Sequence, residues 1–89
     1  MMHTTRWTVT VSLFEEGDFT KASAVLHAGD TERLRGHGSA RRNPRDPSVP
    51  EIGAELAAAR ALSDLSHKLL DAAVADIETI TGRPAHLAS

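Results

Sequence analysis

The chain contains no cysteine and no tyrosine, and only one tryptophan and two phenylalanines among 89 residues. The first absence removes disulfide scaffolds, Cys-ligated zinc and thiol catalysis together, and it fits a reducing cytoplasm. With so few aromatics the core must be aliphatic, and in a single domain of this length it must be small. With neither disulfide nor metal to staple it, the remaining way to enlarge that core is oligomerisation. No apolar run approaches the ~20 residues that span a bilayer, and residues 1–6 lack the apolar centre of a signal peptide. A soluble cytoplasmic protein with no membrane partner is expected.

The formal net charge of −2 conceals an asymmetry. Residues 1–45 carry seven Lys or Arg against five Asp or Glu, whereas residues 46–89 carry three against seven. The texture changes at the same place. From Arg6 to Phe14, Trp7, Val9, Val11 and Leu13 alternate with Thr8, Thr10 and Ser12, the pattern of a half-buried strand. The polar tetrad Glu15-Glu16-Gly17-Asp18 predicts a hairpin, and a second strand follows with Ala22, Ala24 and Leu26 facing inward. Gly29-Asp30 marks another turn, after which Leu34, Gly36, Gly38 and Ala40 alternate with Arg33, Arg35, His37, Ser39 and Arg41. Strands at about 6–14, 19–28 and 32–41 therefore form a meander.

Three prolines within residues 43–50 make a stiff connection. Beyond it, Ala and Leu recur at helical spacing until Gly82, a C-cap signal, with Pro84 behind it. At 100° per residue, Leu62, Leu69, Leu70, Ala73, Ile77 and Ile80 share one arc, but Glu55 projects into its middle while Ile52 and Leu56 fall to one side. That conflict predicts a break near residues 61–64, with Ser63 or Asp64 as a new N-cap, and hence two helices at about 51–62 and 64–81. The expected fold is α+β and two-layered: a three-stranded antiparallel sheet with two helices on one face, in the order β-β-β-α-α. The apolar arc of the second helix is wider than one sheet requires, which points to a homodimer.

If Leu34, Gly36, Gly38 and Ala40 face the helices, the period of two puts Arg33, Arg35, His37 and Arg41 on the opposite face. Arg6 joins them from the first strand, and Lys21 and His27 from the second, with no Asp or Glu expected among them. Such a face attracts phosphate, although an antiparallel sheet also commonly leaves one face simply solvated, and this one is expected to offer no exposed aromatic for stacking bases. Arg41, Arg42 and Arg45 continue the basic run into the loop, where Arg offers bidentate geometry to a phosphate and Asp46 is placed to pair with Arg45 across a tight turn. The glycine pattern at Gly36-His37-Gly38 invites comparison with a nucleotide-binding loop, but it lies within a strand and reads instead as room for a helix to approach closely. Arg60, Asp64, His67 and Asp71 share a polar helical face, where ordinary ion pairs explain them better than a metal or acid/base site. No serine stands beside an activated base, so no catalysis, cofactor, metal or small-molecule substrate is expected.

The segments RWTV at Arg6–Val9, LRGHGSARRNP at Leu34–Pro44, VPEIGAELAAARALSDLSHKLLDAA at Val49–Ala73 and DIE at Asp76–Glu78 resemble a family of small actinobacterial proteins. The resemblance covers nearly the whole chain. It implies a fold similar to double-stranded-RNA-binding domains and a dimer like that of ribosome hibernation promoting factors, with association to dormancy, hypoxia or stress. The expected nucleic-acid-binding residues are Arg6, Lys21, Arg33, Arg35, His37, Arg41, Arg42 and Arg45, directed at a ribosome or structured RNA. The competing expectation is a protein-interaction module that uses the acidic helices through Glu51, Glu55, Asp64, Asp71, Asp76 and Glu78.

Overall fold

The computed structural model describes residues 2–86. Three strands, β1 (Trp7–Glu16), β2 (Phe19–Ala28) and β3 (Thr31–Arg41), precede one helix, α1 (Pro50–Thr81). The strands form a single antiparallel sheet in the order β1-β2-β3. Both hairpins close through two residues, Gly17-Asp18 and Gly29-Asp30, and in each the glycine takes the positive φ (+59° and +63°) that a tight strand connection requires. Because the first loop uses only two residues of its polar tetrad, β1 continues through Glu15 and Glu16.

The expected α+β meander is present, but the two expected helices are one. Ser63 and Asp64 do not cap a second helix, and α1 runs unbroken for 32 residues, about 48 Å. It begins after extended Val49 with Pro50 in its first turn and ends at Gly82, whose φ is +68° and whose N–H donates to Glu78 O at 2.8 Å. The conflict between the apolar arcs has a different resolution. The stripe that meets the sheet is Ala57, Ala61 and Leu65, all buried, and it is rotated by roughly 135° from the arc of Leu62, Leu70, Ile77 and Ile80. One helix thus carries two apolar faces, a small-residue face that packs and a large-residue face that does not.

The packing partner of the small face is β3. A Cβ at Gly36 would lie 2.8 Å from Leu65 Cβ, and one at Gly38 would lie 2.7 Å from the Arg60 carbonyl carbon, so only glycine lets the helix backbone sit this close. The core is Ala22, Ala24, Leu26, Ala40, Ala57, Ala61 and Leu65, with Leu34 and Leu69 against it. Among the described residues Leu26 is the one large side chain that is fully buried.

The helix lies over β2 and β3 and barely reaches β1. It also closes the outer edge of β3. Arg60 Nη1 donates to Ser39 O (2.8 Å), His37 N–H donates to Asp64 Oδ2 (2.8 Å), and Lys68 Nζ donates to Arg35 O (2.7 Å). Four helical residues advance about 6 Å and two strand residues about 6.6 Å, so side chains at i, i+4 and i+8 meet every second residue of the strand. Arg60 and Asp64 are therefore edge caps rather than members of a solvated polar face. His67 Nδ1 lies 2.8 Å from Ser63 O within the helix, and no group of three or more metal-ligating side chains assembles among the described residues.

The hydrogen bond from the His37 N–H, helped by the Lys68 side chain, holds the Asp64 carboxyl below its ordinary range. A carboxylate whose pKa falls on folding stabilises the fold above its unfolded-state pKa, and the contribution disappears as pH drops through the folded value, here below about pH 4. Asp64→Asn is accordingly expected to lower the unfolding midpoint at pH 7, with the gap to the parent narrowing at pH 3. Denaturant titrations at the two pH values check this, and a gap that widens in acid would contradict it.

Candidate nucleic-acid interface

The sheet face turned away from α1 is organised in cross-strand rows. Glu16, Phe19 and Arg41 form the row nearest the first hairpin, followed by Phe14, Lys21 and Ser39, then Ser12, Ser23 and His37, then Thr10, Val25 and Arg35. Val25 is buried on this side, outside the main core. Phe14 is 61% exposed, and the Lys21 ammonium lies 5.6 Å from the Phe19 ring centroid. Two aromatics therefore stand on the face where none was expected. Phe14 continues the parity of Thr8, Thr10 and Ser12, and that parity was the signal for its outward placement. A shallow depression of about 290 Å³ lies among Phe19, Lys21, His37 and Ser39.

The basic residues do not form one continuous patch. Lys21, His37 and Arg41 converge on the first-hairpin end, and neither Lys21 nor Arg41 has an ion pair among the described residues. Arg35 is bound to Glu32 at 3.1 Å, and this contact holds the Glu32 carboxyl below its usual range. The sheet register shifts between Leu26 and His27, so that His27 pairs with Glu32 and Arg33 is the extra residue. This bulge turns Glu32 onto the face that alternation kept free of acids. It also breaks the alternation at Arg33, whose guanidinium lies 5.3 Å from the centroid of Trp7, a residue in phase with the helix-side stripe of β1. Arg6 precedes β1 and is exposed.

Arg42 is engaged inside the molecule. Its Nε donates to Asp18 Oδ1 at 3.0 Å, its Nη1 donates to the carbonyls of Asn43, Pro44 and Asp46, and its N–H donates to Asp18 O at 2.8 Å. It ties the first hairpin to the Pro-rich connector. Arg45 is exposed, and its N–H donates to Asn43 Oδ1 at 3.0 Å. Behind this clamp the connector and the start of α1 enclose a cleft of about 400 Å³, lined in part by Thr20, Val49, Ile52 and Leu56, which sequence patterning did not reveal. No helix among the described residues is long and apolar enough to cross a membrane.

A glycine-dependent helix laid on two strands of a three-stranded meander, with a basic and aromatic outer sheet face, defines a class of small α+β domain. The family model described as Rv2632c-like matches residues 5–86, and the chain belongs to that family. An uncharacterised protein of Mycobacterium bovis, Mb1767, is 49% identical over 81 residues, covering 91% of this chain and 85% of its own length. The uncharacterised protein Rv2632c of Mycobacterium tuberculosis is 41% identical over 76 residues, covering 85% and 81%. The crystal structure of Rv2632c superposes with a TM-score of 0.82 at 37% identity, spanning 93% of this chain and 98% of that one.

Proposed function

We propose that the first-hairpin end of the outer sheet face binds the phosphate backbone of structured RNA, with the ribosome as the particle to test first, and that the protein acts as a small non-enzymatic, stress- or dormancy-associated binding module. The observation that carries this reading is the convergence of Lys21, Arg41 and His37 around two outward-facing aromatics, Phe14 and Phe19. Cations release counterions when they meet phosphates, and exposed rings stack on bases without regard to sequence. Glu16, in the end row, is the acid that limits the patch. The likeness to hibernation promoting factors that the actinobacterial family resemblance implies is the reason to try the ribosome first.

The test is co-sedimentation with ribosomal particles at low salt, comparing the parent with Lys21→Glu/Arg41→Glu. Both positions are exposed, so circular dichroism should stay unchanged while the bound fraction falls by an order of magnitude or more, because each reversal replaces an attraction with a repulsion. Arg33→Gln, which removes a charge already stacked on Trp7, should bind like the parent. A double variant that pellets like the parent would refute the reading. Loss on reversing Asp71 and Asp76 instead would transfer the function to the acidic helix and a protein partner.

A further inference from the structure

The cleft behind the Arg42 clamp lies where three segments meet. Its floor is the cross-strand row Glu15, Thr20 and Ala40, which the parity of each strand turns toward α1. Its walls are the first two turns of α1 and the connector that leads into them. At about 400 Å³ it falls within the range of about 300–1,000 Å³ typical of small-molecule sites. Val49, Ile52 and Leu56 supply the large apolar side chains of the lining, and each is between 41 and 55% exposed. Thr20 is the opposite case. It is 8% exposed, the one buried polar residue among those described. Its hydroxyl makes no hydrogen bond among the described residues, and no buried side-chain oxygen or nitrogen there is shut away without a partner. The hydroxyl is therefore open to the cleft rather than sealed in the core. Gly53 keeps it clear, because a Cβ there would lie 3.0 Å from Thr20 Oγ1. Glycine in a helix is unfavourable relative to alanine, so this clearance is kept against the preference of the helix.

The edge of β3 adds backbone groups to the same cleft. Arg60, Asp64 and Lys68 occupy the outward backbone groups of residues 39, 37 and 35. Four residues earlier on α1, Leu56 takes the place opposite Arg41. Arg41 shares the outward phase of residues 35, 37 and 39, because its neighbour Arg42 bonds through its N–H to the Asp18 carbonyl on the β2 side. A leucine cannot hydrogen-bond, so the Arg41 N–H and C=O meet the cleft without the side-chain cap that the rest of the edge receives. The free charges of the cleft are of one sign. The Arg42 guanidinium is held by Asp18 and by three carbonyls of the connector, and the Arg41 side chain belongs to the outer sheet face. Glu15 and Asp46 remain, and neither has an ion pair among the described residues. The first-turn N–H groups of α1, which would favour an anion, already have Glu51 among them.

We propose that this cleft binds a small aliphatic amine, a primary ammonium carried on an apolar chain. An ammonium has three N–H donors and no acceptor, and the cleft offers it acceptors in the Glu15 and Asp46 carboxylates, the Thr20 hydroxyl and the Arg41 carbonyl. The attached chain covers Ile52 and Leu56, taking from water apolar surface that the fold leaves wet. The ligand touches the first hairpin, the connector and the helix at once, so its binding raises the unfolding temperature. None of the side chains involved stands on the outer sheet face, and the site is therefore independent of the RNA reading.

Hexylamine is the probe, with hexanoate and hexanol as its anionic and neutral counterparts. In amide-resolved NMR of the full chain, hexylamine should give saturable shifts centred on Thr20, Gly53 and Leu56, and Tm should rise as they saturate. Hexanol should bind about tenfold more weakly, and hexanoate should leave those amides unmoved. Glu15→Gln combined with Asp46→Asn should weaken hexylamine by about tenfold or more while the free chain melts as the parent does, since both side chains are exposed and unpaired. Asp30→Asn, at the second hairpin, should bind like the parent. Gly53→Ala sets a methyl against Thr20 Oγ1 and should weaken binding while favouring the helix, so that a lost response there is not a loss of fold. An equal response to hexanoate or hexanol, shifts scattered over the exposed acids of α1, or no saturation at tens of millimolar would overturn the proposal.

Discussion

Gly38→Ala is expected to detach α1 from the sheet. The added methyl would meet the backbones of Ala57, Arg60 and Ala61, and backbone cannot rotate aside as the tip of a long side chain can. Overpacking typically costs about 1–3 kcal/mol when side chains can adjust. With helix backbone as the obstacle the cost should be about 3 kcal/mol or more, a fall of roughly 12–24 °C in Tm for a domain of this size. Gly82→Ala is the useful contrast. It loses the left-handed cap at a position with nothing within 4 Å, and it should cost only about 1–2 kcal/mol. Thermal unfolding followed by circular dichroism, at one fixed protein concentration, checks both. A Gly38 variant that melts within a few degrees of the parent would mean that the helix can lift without loss, and that the close approach is not what fixes the fold.

Leu26→Ala should be the other severe change. Five of the seven residues in the core cluster are alanines, and Leu26, toward the end of β2, is the more deeply buried of its two leucines. Truncating a buried leucine costs about 2–5 kcal/mol depending on how far the surroundings collapse. Alanines and a glycine-anchored helix offer few atoms that can move into the space, so the upper part of that range is expected. Leu56→Ala, in a side chain 45% exposed, should cost less than about 1 kcal/mol. Denaturant midpoints for the two variants should differ by several-fold in free energy. Similar values would place the stabilising burial elsewhere, at the β1 edge first of all.

Much of the sheet was legible because alternation and glycine-initiated turns are local signals. Trp7 to Leu13, Ala22 to Leu26 and Leu34 to Ala40 face where their period of two puts them, and Gly36 and Gly38 admit the helix as their place in the strand suggested. The bulge at Arg33 was not legible. An inserted residue leaves no mark in composition, and it moves Glu32 to the outer face and Arg33 to Trp7 in one step. The helix was misread for a related reason. Hydrophobic periodicity weighs leucine and isoleucine above alanine, whereas the face that packs is the small one, selected by glycines some 20 residues earlier. Arg60 and Asp64 looked like part of a solvated helical face because their partners are strand backbone atoms, which no side-chain pattern announces. In the candidate site, Lys21, His37 and Arg41 were found by parity. Phe14 obeys the same parity, but it was overlooked where aromatic scarcity was taken for aromatic absence.

The most direct test of the functional account is the salt dependence of ribosome binding, measured by pelleting across a series of monovalent salt concentrations. Binding through Lys21, Arg41 and neighbouring cations should give a log–log slope of about −3 or steeper, and Lys21→Gln/Arg41→Gln should make it shallower by about two. Absence from the pellet even at the lowest salt, or a bound fraction indifferent to both salt and substitution, would contradict the account.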